Sequence, residues 1–376
     1  MSGDASRLLD AAYGEGAASV EGAAPGRVTL VGEHVDYVGG RIACLAIDLS
    51  LQVAVRPSSD GWWRAASGSR RVSRSQPVLA GDIGDRLFAA ALALGRIGQA
   101  VVPLEMAVSG ELPAGAGLAS SAAVILAAQV AVLRLSGRRL TAEELVRAAL
   151  AAEREIAGIP CGDLDQRAIV YAEPGAALLL DCSRGWRRSV PWPWSGVSLL
   201  VASSGESHDV GGRQYRRRRE EAERACAALG VAGCQEIGER WRELEPALRP
   251  RGRHVATETR RADAAARALE CADPEALGRL MDESHESLRR DCEVSTPLLD
   301  AMVTAVRLVP GCHGARLVGA GFGGSIVALI DDGAASSCAA ALEKVSGVTG
   351  ATWLVHPSAG LETTADDVVG PPQPGW

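Results

Sequence analysis

Pro113-Ala-Gly-Ala-Gly-Leu-Ala-Ser-Ser-Ala-Ala123 runs directly into the apolar helical pattern from Val124 to Leu135. A small-residue loop that opens a helix suits an anion. Glycines let backbone N–H groups approach a ligand, and the helix N-terminus adds unpaired donors and about half a unit of positive charge. Ser120 and Ser121 stand at the helix start, where a hydroxyl can cap the helix or reach a metal. No Gly-Lys-Ser/Thr follows, so this is not the Walker pattern. Taken alone, the segment is equally compatible with a helix start that uses small residues for close packing.

The rest of the chain sets the frame. Its 376 residues predict two domains or one large one. Hydrophobic content of 47% and charged content of 23% fit a folded soluble protein. With two Phe and four Tyr, packing must fall to Ala, Val and Leu. A net charge of −7 argues against non-specific nucleic-acid binding. The basic run Arg216–Arg219 is followed at once by Glu220, Glu221 and Glu223, which reads as a solvated helix face with i,i+4 pairs. Nine scattered cysteines without C-x-x-C argue for a reducing, cytoplasmic setting and against a disulfide framework or zinc site. The start shows no basic-then-apolar signal pattern, and no apolar run reaches about 18 residues, so no membrane association is expected.

Periodicity predicts a short helix over 6–20. A strand pattern from Arg27 to Val55 is broken by a turn at Gly39-Gly40. Residues 58–75 read as loops and edge strands, 82–97 as a helix and 101–108 as a strand. Thr141-Ala-Glu-Glu144 is a capping box for a helix to about Ala157. After a strand at 176–180, the Arg-, Pro- and Trp-rich stretch 183–194 marks a domain junction. The second half predicts strands at 197–202, 315–318, 326–330 and 352–355, with helices at 212–229, 235–243, 253–271, 273–289, 296–307 and 334–345. The segment 364–376 predicts a disordered tail.

Three further segments carry chemistry. In Pro25-Gly-Arg-Val-Thr-Leu-Val-Gly-Glu-His-Val-Asp-Tyr-Val-Gly-Gly40, Arg27 lies in an apolar run, where its charge needs a carboxylate or an anion. Glu33, His34 and Asp36 follow, a set that can hold a polyhydroxylated ligand or simply form a solvated turn. In Gly158-Ile-Pro-Cys-Gly-Asp-Leu-Asp-Gln166, Asp165 can orient or deprotonate a hydroxyl. Glu153, just upstream, can hold Mg²⁺ with a serine hydroxyl. Gly314-Ala-Arg-Leu-Val-Gly-Ala-Gly-Phe-Gly-Gly-Ser325 is either a tight connection or a source of backbone amides near phosphate. It is not a Rossmann loop, because a strand follows it.

In this order the segments resemble the GHMP small-molecule kinases, and within them the galactokinase branch. Residues 25–40 are similar to that branch's Pro-Gly-Arg-Val-Asn-Leu-Ile-Gly-Glu-His-Thr-Asp-Tyr-Asn-Gly-Gly. Residues 113–123 resemble its nucleotide-phosphate loop, 158–166 its Gly-x-Pro-Cys-Gly-Ile-Met-Asp-Gln stretch and 314–325 its C-terminal Gly-rich motif. Residues 207–215 and 283–295 match further family segments, and the likeness spans about 20–357.

The resemblance implies a two-domain α+β fold. A ribosomal-protein-like N-terminal domain would occupy 1–185 and a ferredoxin-like C-terminal domain 186–363, with the active site in the cleft between them. It implies an ATP- and Mg²⁺-dependent kinase acting on the anomeric hydroxyl of galactose or a close analogue, as a monomer or weak dimer. Asp165 matches the catalytic aspartate and Arg27 the arginine beside it. Glu33, His34, Asp36, Tyr215 and the backbone at Gly162 match sugar contacts. Gly115, Gly117, Leu118, Ala119, Ser120, Ser121 and Ala122 match the ATP loop, and Ser121 and Glu153 the Mg²⁺ holders.

Departures from the family pattern bear on the acceptor. Thr29 replaces Asn, Val35 and Val38 replace Thr and Asn, and Ala119 replaces a serine. Cys44 and Asp163 are also atypical. Val35 and Val38 predict a less polar sugar pocket. Asp163 is expected to point outward, and Arg41 is the new cation that a sugar acid would want. Gly84-Asp-Arg-Leu-Phe88 stands where the family has a Trp-Ala-Asn-Tyr-type helix start. Another sugar, a sugar acid, an amino sugar or a cyclitol is the alternative acceptor. A non-catalytic sugar and ATP sensor is the alternative of a different class.

Overall fold

A computed structural model describes residues 3–98, 101–206 and 212–361. The expected disordered tail at 364–376 and the first part of the 207–215 segment lie outside these residues.

Two sheets organise the molecule. In the first, of seven strands, β1 (Val20–Val31) pairs with β2 (Arg41–Pro57) from Val20↔Val55 to Val31↔Ala43. The hairpin β3 (Trp63–Ser67) and β4 (Arg70–Arg74) precedes β5 (Leu104–Gly110). The edge of β2 opposite β1 is divided between β5, along Leu51–Pro57, and β6 (Ala176–Asp181), along Arg41–Cys44. Strand β7 (Trp186–Pro191), which lies past the boundary expected at 185, hydrogen-bonds along β6 and stays with this sheet. The second sheet is built from β8 (Val197–Ser203), β9 (Cys312–Val318), β10 (Ser325–Asp331) and β11 (Thr352–Val355) in the order β11-β8-β10-β9. Helices separate β8 from β9 and β10 from β11, giving the ferredoxin-like pattern expected of the second half.

Ten α-helices cover the sheets: α1 (Asp4–Tyr13), α2 (Gly84–Arg96), α3 (Ser120–Ser136), α4 (Ala142–Ala151), α5 (Leu164–Tyr171), α6 (Arg213–Ala228), α7 (Arg249–Glu270), α8 (Pro274–Ser287), α9 (Pro297–Arg307) and α10 (Ala335–Glu343), counted among the described residues. Helix α1 stops well short of residue 20, because Gly14 turns the chain at φ 81° and Val20 already belongs to β1. The Thr141 capping box forms as expected, with Glu144 N donating to Thr141 Oγ1 at 3.2 Å and Thr141 N to Glu144 at 2.8 Å. The helix it opens loosens at Ala152–Ile156 into a π-helical turn, a geometry that concentrates at functional sites.

The main core is Ala-, Val- and Leu-rich, with α2, α3 and α4 packed on the first sheet. Among the described residues no helix is long and apolar enough to cross a membrane. The nine cysteines are unpaired.

Candidate active site

The segment after β1 is held by the second half of the chain. Gly32 N donates to Glu258 Oε1 at 2.8 Å, and Glu258 also accepts from Ser284 Oγ at 2.5 Å. Burial alone would raise the Glu258 pKa, but Arg261, His254 and Arg316 hold it down at about 2. His254 Nε2 lies 3.0 Å from the Glu33 carbonyl. The 283–295 motif therefore acts as a brace, with Ser284, His285, Ser287 and Asp291 buried. Glu33 itself accepts from Gly319 N at 2.7 Å, and the fully buried Arg316 lies 3.4 Å from the same oxygen. The C-terminal Gly-rich loop thus spends the Gly319 amide on a carboxylate and not on phosphate.

These restraints define one wall of a cavity of about 560 Å³. Arg27, Glu33, His34, Asp36, Gly115, Gly117, Leu118, Ala119, Ser120, Ser121, Glu153, Gly162, Asp165 and Tyr215 all line it, so residues far apart in sequence converge as expected. Ala122 is the exception. Its side chain is fully buried in the main core, where it packs and does not face the cavity.

Arg27 reaches Asp165 twice, with Nε at 2.9 Å and Nη2 at 2.5 Å from Oδ1, and its Nη1 donates to the Gly117 carbonyl at 2.6 Å. Its backbone N donates to the Leu118 carbonyl at 3.1 Å, docking the small-residue loop on the free edge of β1. The Asp165 side chain remains 34% exposed, which leaves it open to the cavity. Gly117 brings the loop against the C-terminal half: at φ 73°, a Cβ there would lie 2.6 Å from the Val318 carbonyl oxygen.

Neither serine caps α3. The N-cap is Ala119 in a left-handed conformation, with no side-chain hydrogen bond. Ser121 Oγ instead donates to Glu153 Oε1 at 2.5 Å, on the π-helical turn, and Gln166 grips the other Glu153 oxygen. Burial raises the pKa of Glu153, with Ser121 opposing. The backbone donors of the first turn of α3 are left for a ligand.

His34, Tyr37 and Tyr215 form a ring cluster, with centroids 5.6 to 6.1 Å apart. The Ala320 carbonyl, 3.0 Å from His34 Nε2, can only accept, so Nε2 carries the proton. Nδ1 then accepts from the Tyr37 hydroxyl at 3.0 Å. Burial lowers the His34 pKa and keeps the ring neutral. Burial, with the Asp165, Asp163 and Glu33 carboxylates nearby, pushes Asp36 up to about 7.

Two expectations about the acceptor pocket change and one holds. Val35 and Val38 are buried in a separate core cluster and do not line the cavity, so they leave its polarity alone. Arg41 is taken by Asp181 at 3.1 Å and Asp263 at 2.8 Å and also lies off the cavity. Asp163 points away as expected and accepts from Arg167 Nε at 2.7 Å. The basic run divides: Arg217 and Arg219 make the expected i,i+4 pairs, whereas Arg218 and Arg219 are half-buried and not fully solvated. Sequence reasoning missed Tyr37, Gln166, Arg86 and Arg316. Tyr37, Gln166 and Arg316 stood inside segments already singled out, and Arg86 inside a departure from the family pattern, but none was given a role.

Comparisons with known proteins identify the family. Residues 10–57 match the galactokinase galactose-binding signature, 85–173 the N-terminal domain of GHMP kinases and 263–346 their C-terminal domain. The galactokinase of Roseiflexus sp. (strain RS-1) is 35% identical over 92% of this chain and 93% of that protein. That of Chloroflexus aggregans is 36% identical over 82% and 83%. The crystal structure of Lactococcus lactis galactokinase complexed with galactose shares the fold with a TM-score of 0.88 at 24% identity, covering 95% of this chain and 98% of that one. Methanococcus jannaschii mevalonate kinase shares it with a TM-score of 0.69 at 19% identity, over 91% and 99%.

Proposed function

Because this chain belongs to the galactokinases of the GHMP kinase family and is an ATP-dependent sugar 1-kinase, we propose that its acceptor is galactose and that the cavity around Asp165 is where the γ-phosphoryl group passes to the anomeric hydroxyl. The observation that carries this is the lining itself. Glu33, His34, Asp36 and Tyr215 face the cavity, while Val35, Val38 and Arg41, which spoke for another acceptor, lie elsewhere.

Asp165 accepts a hydrogen bond from the anomeric hydroxyl and aims its oxygen at the γ-phosphorus. Arg27 fixes that carboxylate and offers charge to the transferring phosphoryl group. The loop 115–121 and the first-turn amides of α3 hold the phosphates. Ser121 and Glu153 fit Mg²⁺: both donors are oxygens, side by side on the cavity wall. No group of three or more His, Cys, Asp or Glu that could hold a metal occurs among the described residues, which suits an ion that takes its remaining ligands from water and phosphate. When bound, it would neutralise charge on the β- and γ-phosphate oxygens.

Asp36 makes sugar binding pH-dependent. As pH falls through about 7, its carboxylate protonates and loses acceptor capacity for sugar hydroxyls. The KM for galactose should rise on that side, and Asp36→Asn should flatten the limb. A constant KM between mildly acid and mildly alkaline buffer would contradict this. The raised pKa also means that ionisation of Asp36 costs the free protein stability as pH rises through the same value.

A Cβ at Gly162 would overlap the Asp36 carboxyl. Gly162→Ala should therefore raise the galactose KM by about tenfold or more through displacement of that side chain, with the ATP KM little changed. Equal effects on both substrates would place the damage elsewhere.

The acceptor itself is tested by ATP consumption against hexoses, pentoses, uronic acids, amino sugars and cyclitols. The highest kcat/KM is expected with galactose. A better acceptor in the panel would replace it, and no turnover with ATP bound would favour a sensor.

A further inference from the structure

Arg86 stands where the chain departs from its family, and the role inferred for it rests on the kinase reading above. It lies in the first turn of α2, within Gly84-Asp-Arg-Leu-Phe88, and lines the cavity on the side of the phosphate loop. Its Nε donates to Ser121 Oγ at 2.6 Å, the same hydroxyl that donates to Glu153. Arg86 is thus part of a three-member chain, Arg86–Ser121–Glu153, at the position proposed for the metal. Among the described residues no carboxylate lies within ion-pair distance of it, and its terminal nitrogens have no protein acceptor.

The charge balance of the cavity gives this weight. Glu33, Asp36, Glu153 and Asp165 are its carboxylates, and Arg27 and Arg86 its guanidinium groups. Arg27 is engaged by Asp165, and His34 is neutral. Arg86 is therefore the guanidinium on the described cavity wall with no direct carboxylate partner, the Glu153 carboxylate acting on it across the Ser121 hydroxyl. A triphosphate adds further negative charge to this wall. A guanidinium with one nitrogen anchored on Ser121 and two free presents a planar fork, the geometry that binds phosphate oxygens in pairs.

We propose that Arg86 is a direct ligand of the terminal phosphates of the nucleotide, sharing Ser121 with the metal, so that this protein binds ATP appreciably even without a divalent cation. Its Nε anchor keeps the fork beside the N-terminus of α3, and its charge supplements what Ser121 and Glu153 would hold through the metal. Affinity for ATP then depends on Arg86 most when metal is absent.

The test is equilibrium binding of ATP by calorimetry to the full chain, with excess Mg²⁺ and with EDTA, for wild type, Arg86→Ala, Arg86→Lys and Arg86→Gln. Galactose binding to each variant checks that the site is intact. Wild type is expected to lose less than about tenfold in ATP affinity on metal removal. In EDTA, Arg86→Ala should bind about 10- to 100-fold more weakly than wild type, the scale of a lost charge-assisted hydrogen bond, with a smaller loss in Mg²⁺. Arg86→Lys, which keeps charge without the fork, should recover part of this, and Arg86→Gln none. Metal-free ATP binding by Arg86→Ala within about twofold of wild type would overturn the proposal. So would an equal loss in both buffers rescued by Arg86→Gln, because that pattern belongs to a brace on Ser121. Wild type that binds ATP in neither buffer would instead sink the kinase reading on which the proposal rests.

Discussion

Asp165→Asn lowers kcat by about 1,000-fold while the affinities for ATP and galactose stay within about threefold of wild type. The substitution preserves shape and removes charge. Asp165 stands in the first turn of α5, and Arg27 fixes one carboxylate oxygen through two nitrogens. The buried guanidinium is itself anchored on the Gly117 carbonyl, so it does not follow a moved partner. An amide can satisfy Arg27 with its oxygen, but its NH₂ then faces the anomeric hydroxyl as a donor where an acceptor is needed. The reacting oxygen loses its orientation toward phosphorus, and phosphoryl transfer depends mainly on orientation and charge. Single-turnover ATP cleavage, with calorimetry for both ligands, separates the two effects. A variant within about tenfold of wild-type kcat would show that Asp165 does not orient the reacting hydroxyl.

Arg316→Met destabilises the fold by about 3–5 kcal/mol. Arg316 is fully buried between the two halves of the chain. Its Nη1 donates to the Leu30 carbonyl at 3.1 Å and to that of Thr29 at 3.3 Å, and Nη2 lies 3.4 Å from Glu33. Burial works against its charge, and Glu33 and Glu258 work for it. A methionine of similar length leaves two buried carboxylates short of compensation, along with two carbonyls that lose a donor. The denaturant midpoint should fall with an unchanged slope. Glu33→Gln in the same background should restore part of the loss, since the orphaned charge is then removed. A loss below about 1 kcal/mol would mean that the protein tolerates the uncompensated pair.

Most of the site was legible because its parts are local. A strand ending in Gly-Glu-His, a small-residue loop before a helix and an Asp-Leu-Asp turn each announce themselves in a few residues, and the fold brings Arg27 to Asp165 and Ser121 to Glu153. The errors share one cause: direction across the fold is invisible in local pattern. Val35 and Val38 alternate with polar site residues in sequence, but the turn at Asp36–Val38 sends them into the core. Arg41 looked like a pocket cation until the pairing of β2 with β6 brought Asp181 to it. Ser120 and Ser121 suited the N-cap by composition. The structure gives that place to Ala119, because the Ser121 hydroxyl is taken by Glu153, and no spacing rule foretells the π-helical turn that positions that carboxylate. Arg316 hid inside an apolar strand, where only the opposite half of the chain explains a buried charge.

The most direct test of the central claim is the product of the purified protein with Mg-ATP and galactose, followed by phosphorus and proton magnetic resonance. The account predicts one new phosphate resonance coupled to the anomeric proton of the sugar, and none when methyl galactoside replaces galactose. A phosphate ester at another carbon, or no phosphorylated sugar from protein that binds both ligands, would contradict it.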